Sequence, residues 1–207
     1  MVVNKKLLSR IFALIVVSGS LIVMAGWIFD IPSLTNILPI WVTMKFSTSL
    51  AFFFTGLLLF SLSLENRSGV VEMLISTSAL IILLLMFSLL ASVLVSIDTG
   101  IEDLFVKESP DAIKTTVPGR PSIGTMLGFV LVAAAGFFDF YYAGQMRKPV
   151  FWSGIIIAFI GVVATVGYLI NIQLLYYSAT GVSTAMAFHT SILFILAGSS
   201  LVLSGTE

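Results

Sequence analysis

Residues 149–206 read PVFWSGIIIAFIGVVATVGYLINIQLLYYSATGVSTAMAFHTSILFILAGSSLVLSGT, and this stretch contains no Asp, Glu, Lys or Arg. A helix needs about 20 mainly apolar residues to cross a bilayer, so the stretch is too long for one span. The turn-type residues of 178–183 divide it, which predicts one helix from Val150 to Ile170 and another from Ala187 to Leu203. The apolar runs are continuous rather than alternating, which favours helices over a β-barrel.

Four further apolar stretches precede this one, and we predict a membrane-spanning helix in each. The first follows Lys5, Lys6 and Arg10, as in a signal peptide, but its apolar run exceeds the usual length of about 7–15 residues, so we interpret it as a retained helix. The sequence therefore predicts an all-α integral membrane protein with six transmembrane helices in a single domain, residues 1–207. The first four helices are Ile11 to Phe29, Phe46 to Leu64, Gly69 to Ile97 and Ile123 to Tyr142.

The composition of the chain excludes several classes of protein. Of its 207 residues, 58% are hydrophobic and 10% are charged, whereas a soluble domain has roughly 25% charged residues. Ten basic residues balance ten acidic ones, so no basic surface is available for nucleic acid. There is no cysteine and one histidine, so we expect no metal centre. No catalytic motif has a meaningful spacing, and we therefore expect no enzyme.

Lys and Arg set the predicted orientation, because they are enriched in cytoplasmic loops. With six of them on one side and four on the other, we predict a multi-pass protein of the plasma membrane with both ends in the cytoplasm. Glu72 and Asp139 fall near the cytoplasmic interface, where they are expected to reach the interface or to pair with Arg147 and Lys148. The cytoplasmic set is Lys5, Lys6, Arg10, Arg67, Arg147 and Lys148, and the outer set is Lys45, Lys107, Lys114 and Arg120.

An internal repeat relates the three even-numbered helices. Their first residues share a Thr, an aliphatic residue two positions later, a Phe four positions later and a small residue eight positions later. These segments are Met44 to Gly56, Pro121 to Ala133 and Met186 to Gly198. A weaker match ends the odd-numbered helices, at Trp27 to Ile31, Val93 to Ile97 and Tyr168 to Ile172. We predict three parallel two-helix repeats, approximately residues 11–64, 69–142 and 150–205, around a pseudo-threefold axis along the membrane normal. The second repeat then has an outer loop longer by about ten residues.

The repeated threonines, Thr48, Thr125 and Thr190, allow two interpretations. Each hydroxyl can satisfy a free backbone group in the first turn of its helix, or the three can form a polar ring that receives a ligand near the axis. The small residues Gly56, Ala133 and Gly198 are expected to allow close helix contact.

The outer loop from Asp98 to Pro121 carries most of the remaining polar candidates, and most of its charges are expected to form a solvated face. Arg120 lies beside a helix start, where an anion can bind, although a pair with Asp98, Glu102 or Asp103 explains it equally. His189 is either a structural hydrogen-bonding residue or a ligand contact, and its ordinary pKa of about 6.5 also suits a pH switch.

These segments resemble a known family when they are taken together. Gly26-Trp-Ile-Phe-Asp-Ile-Pro-Ser-Leu34, Leu38-Pro-Ile-Trp-Val-Thr-Met44-Lys-Phe-Ser-Thr48, Asp98-Thr-Gly-Ile-Glu-Asp-Leu-Phe105, Pro118-Gly-Arg-Pro-Ser122 and Met186-Ala-Phe-His-Thr190 resemble the multi-helix membrane input region that precedes PAS domains in many prokaryotic sensor histidine kinases and diguanylate cyclases. The resemblance covers nearly the whole chain and implies a sensory module that signals through its last helix to a cytoplasmic output domain. Pro121 stands where the family usually has Met, and no output domain follows by Glu207, so we expect either an input domain or a stand-alone relative.

Three hypotheses for the function follow. The first is a membrane-embedded sensory or ligand-binding module, with its site between the outer halves of the even-numbered helices and with Asp30, Trp41, Asp98, Arg120 and His189 as lining. The second is an accessory subunit of a membrane complex that binds a lipid or a quinone; no cofactor is assigned otherwise. The third and least favoured is a small transporter. Expected partners are the bilayer, a kinase or cyclase output domain, other membrane subunits, or a second copy in a homodimer, but no nucleic acid.

Overall fold

A computed structural model describes residues 4–95, 100–109, 112–142, 145, 147–176 and 184–206. Within these residues the chain is helical, with seven α-helices, one short 3-10 turn at Gln173–Leu175 and no strand. The helices are α1 (Lys5–Ile28), α2 (Pro32–Thr35), α3 (Phe46–Leu62), α4 (Gly69–Val95), α5 (Ile123–Tyr141), α6 (Arg147–Leu169) and α7 (Phe188–Gly205).

Five of these helices, α1, α4, α5, α6 and α7, are long and apolar enough to cross a membrane. Their number indicates a multi-pass membrane protein, which confirms the predicted all-α membrane class. The predicted second span, α3, has 17 residues and is slightly shorter than the roughly 20 residues of a typical span. Most of its residues are buried by the other helices.

The long helices form three antiparallel hairpins: α1 with α3, α4 with α5, and α6 with α7. Helices α3, α5 and α7 lie on the inside, and α1, α4 and α6 lie around them. The described residues between the hairpins, 63–68, 142 and 145, lie at one end of the bundle, which we call the turn end. The described residues of the longer connections, 29–45, 100–109, 112–122, 170–176 and 184–187, lie at the other end, which we call the loop end.

Three phenylalanines meet at the centre of the bundle, one from each inner helix. Phe52, Phe129 and Phe194 are fully buried. Their ring centroids are 4.6, 4.9 and 5.0 Å apart, and the rings are tilted or edge-to-face. This geometry is favourable for aromatic rings, because the positive edge of one ring faces the negative face of another. The cluster fills the space where the three inner helices converge.

Glycines bring the two helices of a hairpin into close contact. A Cβ on Gly198 would meet the backbone of Ala158 and Gly154 on α6, and a Cβ on Gly56 would meet the backbone of Ala13 and Val17 on α1. In the second hairpin the corresponding residue is Ala133, which is fully buried. Small residues at these positions let backbones approach more closely than larger side chains would allow.

At the turn end, an arginine near the start of each outer helix binds the end of the inner helix of the same hairpin. Arg10 donates to the Ser63 carbonyl oxygen over 3.1 Å, and Arg147 donates to the Ser204 carbonyl oxygen over 3.0 Å. A cation at the C-terminal end of a helix is favourable, because the free carbonyl groups there carry partial negative charge.

In the second hairpin the acceptor is a carboxylate. Arg67 donates to both oxygens of Asp139, over 2.5 and 3.0 Å, and Asp139 is 3% exposed. The prediction that Asp139 pairs with Arg147 or Lys148 is therefore wrong. Arg67 lies in the turn that enters α4, directly beside the end of α5, whereas Arg147 is bonded to α7.

The outer helices of the first and third hairpins end with the same backbone geometry at the loop end. Asp30 and Asn171 both adopt a left-handed conformation, with φ of 53° and 57°. The next residue donates its N–H to a glycine carbonyl five positions back, over 2.8 Å in both hairpins: Ile31 to Gly26, and Ile172 to Gly167. This is a Schellman motif, and Asp and Asn tolerate its left-handed position better than most residues do.

The same two hairpins also close their connections in the same way. A ring at the end of the outer helix donates to the carbonyl of the methionine before the inner helix, and that methionine donates its N–H back to the connection. The four bonds are Trp27 to Met44 at 2.7 Å, Met44 to Thr35 at 2.9 Å, Tyr168 to Met186 at 2.7 Å and Met186 to Tyr176 at 2.8 Å.

Candidate functional site

A cleft of about 580 Å³ opens at the loop end, between the connection of the first hairpin and that of the second. Binding sites for small molecules commonly have volumes of about 300–1,000 Å³. The walls combine two indole rings with both signs of charge. They are formed by Gly26, Trp27, Asp30, Pro32, Thr35, Asn36, Trp41, Thr43, Lys107, Glu108, Ser109, Ala112 and Ile113.

Two of the predicted site residues, Asp30 and Trp41, line this cleft. Asp30 is exposed at the end of α1, where its left-handed backbone turns the chain. Trp41 is half-buried and packs on the third hairpin, with its ring centroid 4.9 Å from those of Tyr168 and Phe188. The aromatic contacts hold one side of the Trp41 indole, while the ring also contributes to the cleft wall.

A buried ion pair lies behind the cleft and joins the two connections. Lys45, the residue before α3, contacts the Glu108 carboxylate with Nζ–O distances of 2.5 and 2.7 Å. The two side chains are 3% and 4% exposed. Because both charges are removed from water, each depends on the other and on neighbouring hydrogen bonds for its stability.

Further hydrogen bonds complete this pair. The carboxylate of Glu108 accepts from the Thr43 hydroxyl and from the Gly119 N–H, both over 2.8 Å, and Lys45 donates to the Thr115 hydroxyl over 2.7 Å. Burial lowers the pKa of Lys45, and the contact with Glu108 offsets part of that effect. We call Thr43, Lys45, Glu108, Thr115 and Gly119 the loop hub.

A second ion pair forms beside the loop hub. Arg120 donates from Nη2 and Nε to Glu102 over 2.8 and 3.2 Å, and the Ser92 hydroxyl donates to the same carboxylate over 3.0 Å. Gly119 separates the two pairs at φ 72°, and a Cβ there would collide with the Glu102 carbonyl. Arg120 thus has the intramolecular partner that one of its two interpretations required.

The repeated threonines are buried at the starts of the inner helices. Thr48, Thr125 and Thr190 are 1–2% exposed, and each lies one helical turn before a phenylalanine of the central cluster. The hydroxyls of Thr125 and Ser122 are 2.7 Å apart, and Ser122 also accepts the Thr125 N–H as the N-cap of α5. For Thr125, this geometry matches local hydrogen bonding at a helix start.

His189 does not line the cleft. His189 is on the first turn of α7 and half-buried, and its Nδ1 is a buried atom without a hydrogen-bond partner among the described residues. Asp98 lies outside the described residues. The ligand-binding roles of all eight candidates stay predictions.

Sequence reasoning missed the buried pair of Lys45 and Glu108. Most charges of the second connection were expected to form a solvated face, but Glu108 is 9% exposed. Glu102, which is 8% exposed, was among the expected partners of Arg120. One feature of the sequence could have indicated that Lys45 is paired. In the alignment of the repeat motifs, the residues at its position are Ser122 and Ala187. A cation where the repeat otherwise has a small residue needs a partner. The sequence could not identify that partner as Glu108, because 63 positions separate them.

Among the described residues, no group of three or more His, Asp or Glu side chains is arranged to hold a metal ion. The cleft wall includes two tryptophans, the exposed Asp30 and Lys107, and Glu108 of the buried ion pair. Comparison with family models, with curated proteins and with solved structures found no match for this chain.

Proposed function

We propose that this chain is a membrane-embedded ligand-binding module of the sensory type. The ligand binds in the cleft at the loop end, and the resulting conformational change is transmitted through the inner helices to the turn end. The observation that carries the proposal is the position of Glu108, which lines the cleft and also holds Lys45 at the start of α3. A ligand in the cleft is thus one contact away from an inner helix that runs to the other end of the bundle.

The proposal includes six membrane spans related by a pseudo-threefold axis, with α3 as the shortest span. Three sets of contacts support it: the central phenylalanines, one from each hairpin; the arginines that bind the ends of the inner helices; and the matching loop geometry of the first and third hairpins. The phenylalanines and the loop contacts fall on residues that the repeat motif pairs.

The axis offers a route from the cleft to the turn end. Lys45 precedes α3, and Phe52 of α3 packs against both other inner helices. A rotation or shift of α3 would displace the rings of Phe129 and Phe194, because closely packed rings move together rather than deform. Within this proposal the loop end faces the outside of the plasma membrane, and α7 leads to a cytoplasmic output domain or partner.

A chimaera tests this function. The end of α7 is fused to a cytoplasmic kinase or cyclase output domain, and reporter output is measured over a panel of growth media and additives. We expect Trp41→Leu and Glu108→Gln to change the output relative to the unaltered chimaera in at least one condition, because one alters the cleft wall and the other releases Lys45.

The matched control is Asp103→Asn, a charge change in the same connection that leaves the cleft lining intact. It should behave like the unaltered chimaera, and all variants should reach the membrane at equal levels by immunoblot. Identical output from the cleft variants and the unaltered chimaera in every condition would overturn the sensory proposal.

A groove at the turn end favours a second candidate, an accessory subunit that binds a lipid or quinone. The groove has a volume of about 520 Å³ on the exposed side of α5. Mass spectrometry of protein extracted in mild detergent would test this candidate. A co-purified quinone or partner subunit that is lost in Phe138→Ala supports it, and a bare monomer contradicts it. The groove is lined by Ala134, Phe137, Phe138, Phe140, Tyr141 and Tyr142.

A further inference from the structure

We infer that the cleft binds a zwitterion: an organic ammonium group joined to an anionic group. The inference rests on the proposed function, since it assigns a ligand class to the same cleft. Two charged side chains on the cleft walls, Asp30 and Lys107, form no ion pair with any described residue, although both line the same space. One carboxylate and one ammonium that do not neutralise each other are complementary to a ligand that carries both charges.

Among the described residues that line the cleft, the remaining charge, Glu108, does not compete for this ligand. The Glu108 carboxylate is neutralised by Lys45 and accepts from Thr43 and Gly119. The local sum of Asp30, Lys107, Lys45 and Glu108 is therefore zero. A ligand with a single net charge would leave one wall charge without a partner, whereas a zwitterion satisfies both.

The rings favour an organic ammonium at the Asp30 side. Trp27 and Trp41 both line the cleft. The Trp27 Nε1 is already bonded to the Met44 carbonyl, so this residue offers its ring rather than its polar atom. A cation over an indole face is attracted by the electron density of the ring. Lys107, the exposed ammonium of the lining, receives the anionic group.

The third hairpin indicates a substitution of Asp30 that should preserve the backbone conformation. Asn171 occupies the left-handed position in the third hairpin that Asp30 occupies in the first. The substitution Asp30→Asn therefore removes the charge and keeps a residue that this backbone geometry accepts. Lys107 is exposed, so Lys107→Gln also removes a charge without disturbing the core.

The test measures tryptophan emission of the full chain in detergent, in a Trp152→Phe background that leaves only Trp27 and Trp41. Three kinds of probe are titrated: phosphocholine and glycine betaine as zwitterions, tetramethylammonium as a cation, and acetate or inorganic phosphate as anions. We expect saturable binding of a zwitterion, with Kd raised about tenfold or more by either Asp30→Asn or Lys107→Gln. The control Asp103→Asn should leave Kd unchanged.

A lipid headgroup carries the same pair of charges as a free zwitterion, and nanodiscs separate the two sources. If the ligand is a headgroup, phosphatidylethanolamine added to phosphatidylglycerol nanodiscs changes the emission of the parent chain but not that of Asp30→Asn. If it is a free solute, only the soluble probes do so.

Three results would overturn the zwitterion: equal affinity for tetramethylammonium, preference for an anion, or no response to any probe and lipid. None of these results contradicts the sensory proposal. That proposal is contradicted only if the cleft variants leave the output of the chimaera unchanged in every condition.

Discussion

Two different sets of contacts hold the connections of the hairpins. The first and third hairpins share one set, and the second hairpin has another. Each connection must return the chain from an outer helix to the start of an inner one. In the first and third hairpins the methionine before the inner helix is held by a ring donor and by its own N–H. In the second hairpin the corresponding residue is Pro121, which has no N–H. Two ion pairs, one buried and one partly buried, hold this connection instead.

The difference identifies a contact that joins two hairpins. Backbone hydrogen bonds of this kind tie a hairpin to itself, whereas Glu108 ties the second connection to the start of α3 in the first hairpin. Ionic contacts between hairpins are also the contacts whose loss is most costly, because a buried charge without a partner is strongly unfavourable. The following variants test this contrast.

The largest effect is expected for Glu108→Gln. Removal of one partner leaves the Lys45 ammonium buried, and such losses cost about 3–5 kcal/mol. The midpoint of thermal unfolding in detergent, followed by tryptophan emission, should fall accordingly. The double variant Lys45→Met/Glu108→Leu is the control and should recover most of the loss, since well-packed apolar residues replace buried pairs at little cost. Equal instability of the double variant would contradict the ionic role.

The same variant should acquire a distinctive pH dependence. Burial lowers the pKa of Lys45, and both opposing contributions come from Glu108, so the pKa of Lys45 falls further in Glu108→Gln. Between that lowered folded value and the unfolded value of about 10.4, the unfolded chain binds more protons, and stability rises with pH. Part of the lost stability should therefore return as the pH is raised towards 10, and a flat or falling profile would contradict this reasoning.

Gly119→Ala should give the next largest effect. At φ 72° a Cβ is strained by about 1–3 kcal/mol, and here it would also press on the backbone of Glu102. Because Gly119 lies between the two ion pairs, both should loosen together. Gly69→Ala, at a glycine whose added Cβ meets nothing within 4 Å, is the matched control. An unfolding midpoint equal to that of the control would show that the close approach is unimportant.

Removal of the ring donors of the first and third hairpins should lower the free energy of unfolding less than Gly119→Ala does. The two decreases should be similar. Trp27→Phe and Tyr168→Phe each remove one donor from a methionine carbonyl, at about 1–2 kcal/mol. Similar decreases in the unfolding midpoint are expected if the two connections are equivalent. A large difference between the two variants would break the comparison on which the repeat rests.

The smallest effect is expected for Pro121→Met, which restores the residue of the other two repeats. The ion pairs already hold this connection, so the new N–H gains little. The loss of proline rigidity should lower stability by about 0.4–1 kcal/mol. A clear rise in the unfolding midpoint would instead show that the backbone closure can be rebuilt in the second hairpin.

Much of the fold was predictable, because apolar length and turn residues are local properties. The α3 start at Phe46, the α4 start at Gly69 and the α5 start at Ile123 agree with the predicted starts. The ends of α3 and α5 differ from the predicted ends by two residues and one residue, since the last turn depends on packing and capping. The predicted end of α4, Ile97, lies outside the described residues. Length alone could not show that α3 is short and mostly enclosed by its neighbours.

The candidate site was predictable only in part. Asp30 lies in the weaker repeat motif and Trp41 in a segment that carries the family resemblance, and both line the cleft. The motif around Arg120 was equally visible, but its ion pair with Glu102 depends on how the connection folds back. The site was predicted between the outer halves of the inner helices. The phenylalanine cluster lies where these helices converge, and the cleft lies between the connections of the first and second hairpins.

Composition and apolar spacing were sufficient to predict a helical membrane protein, and they gave an alignment of the three inner helices that stays a prediction. These properties depend on composition and spacing, which act within a few helical turns. Only the tertiary structure decided which charges are paired and where the open space lies. Lys45 and Glu108 are far apart along the chain, and their contact exists only because three hairpins pack side by side and the second connection reaches over the first.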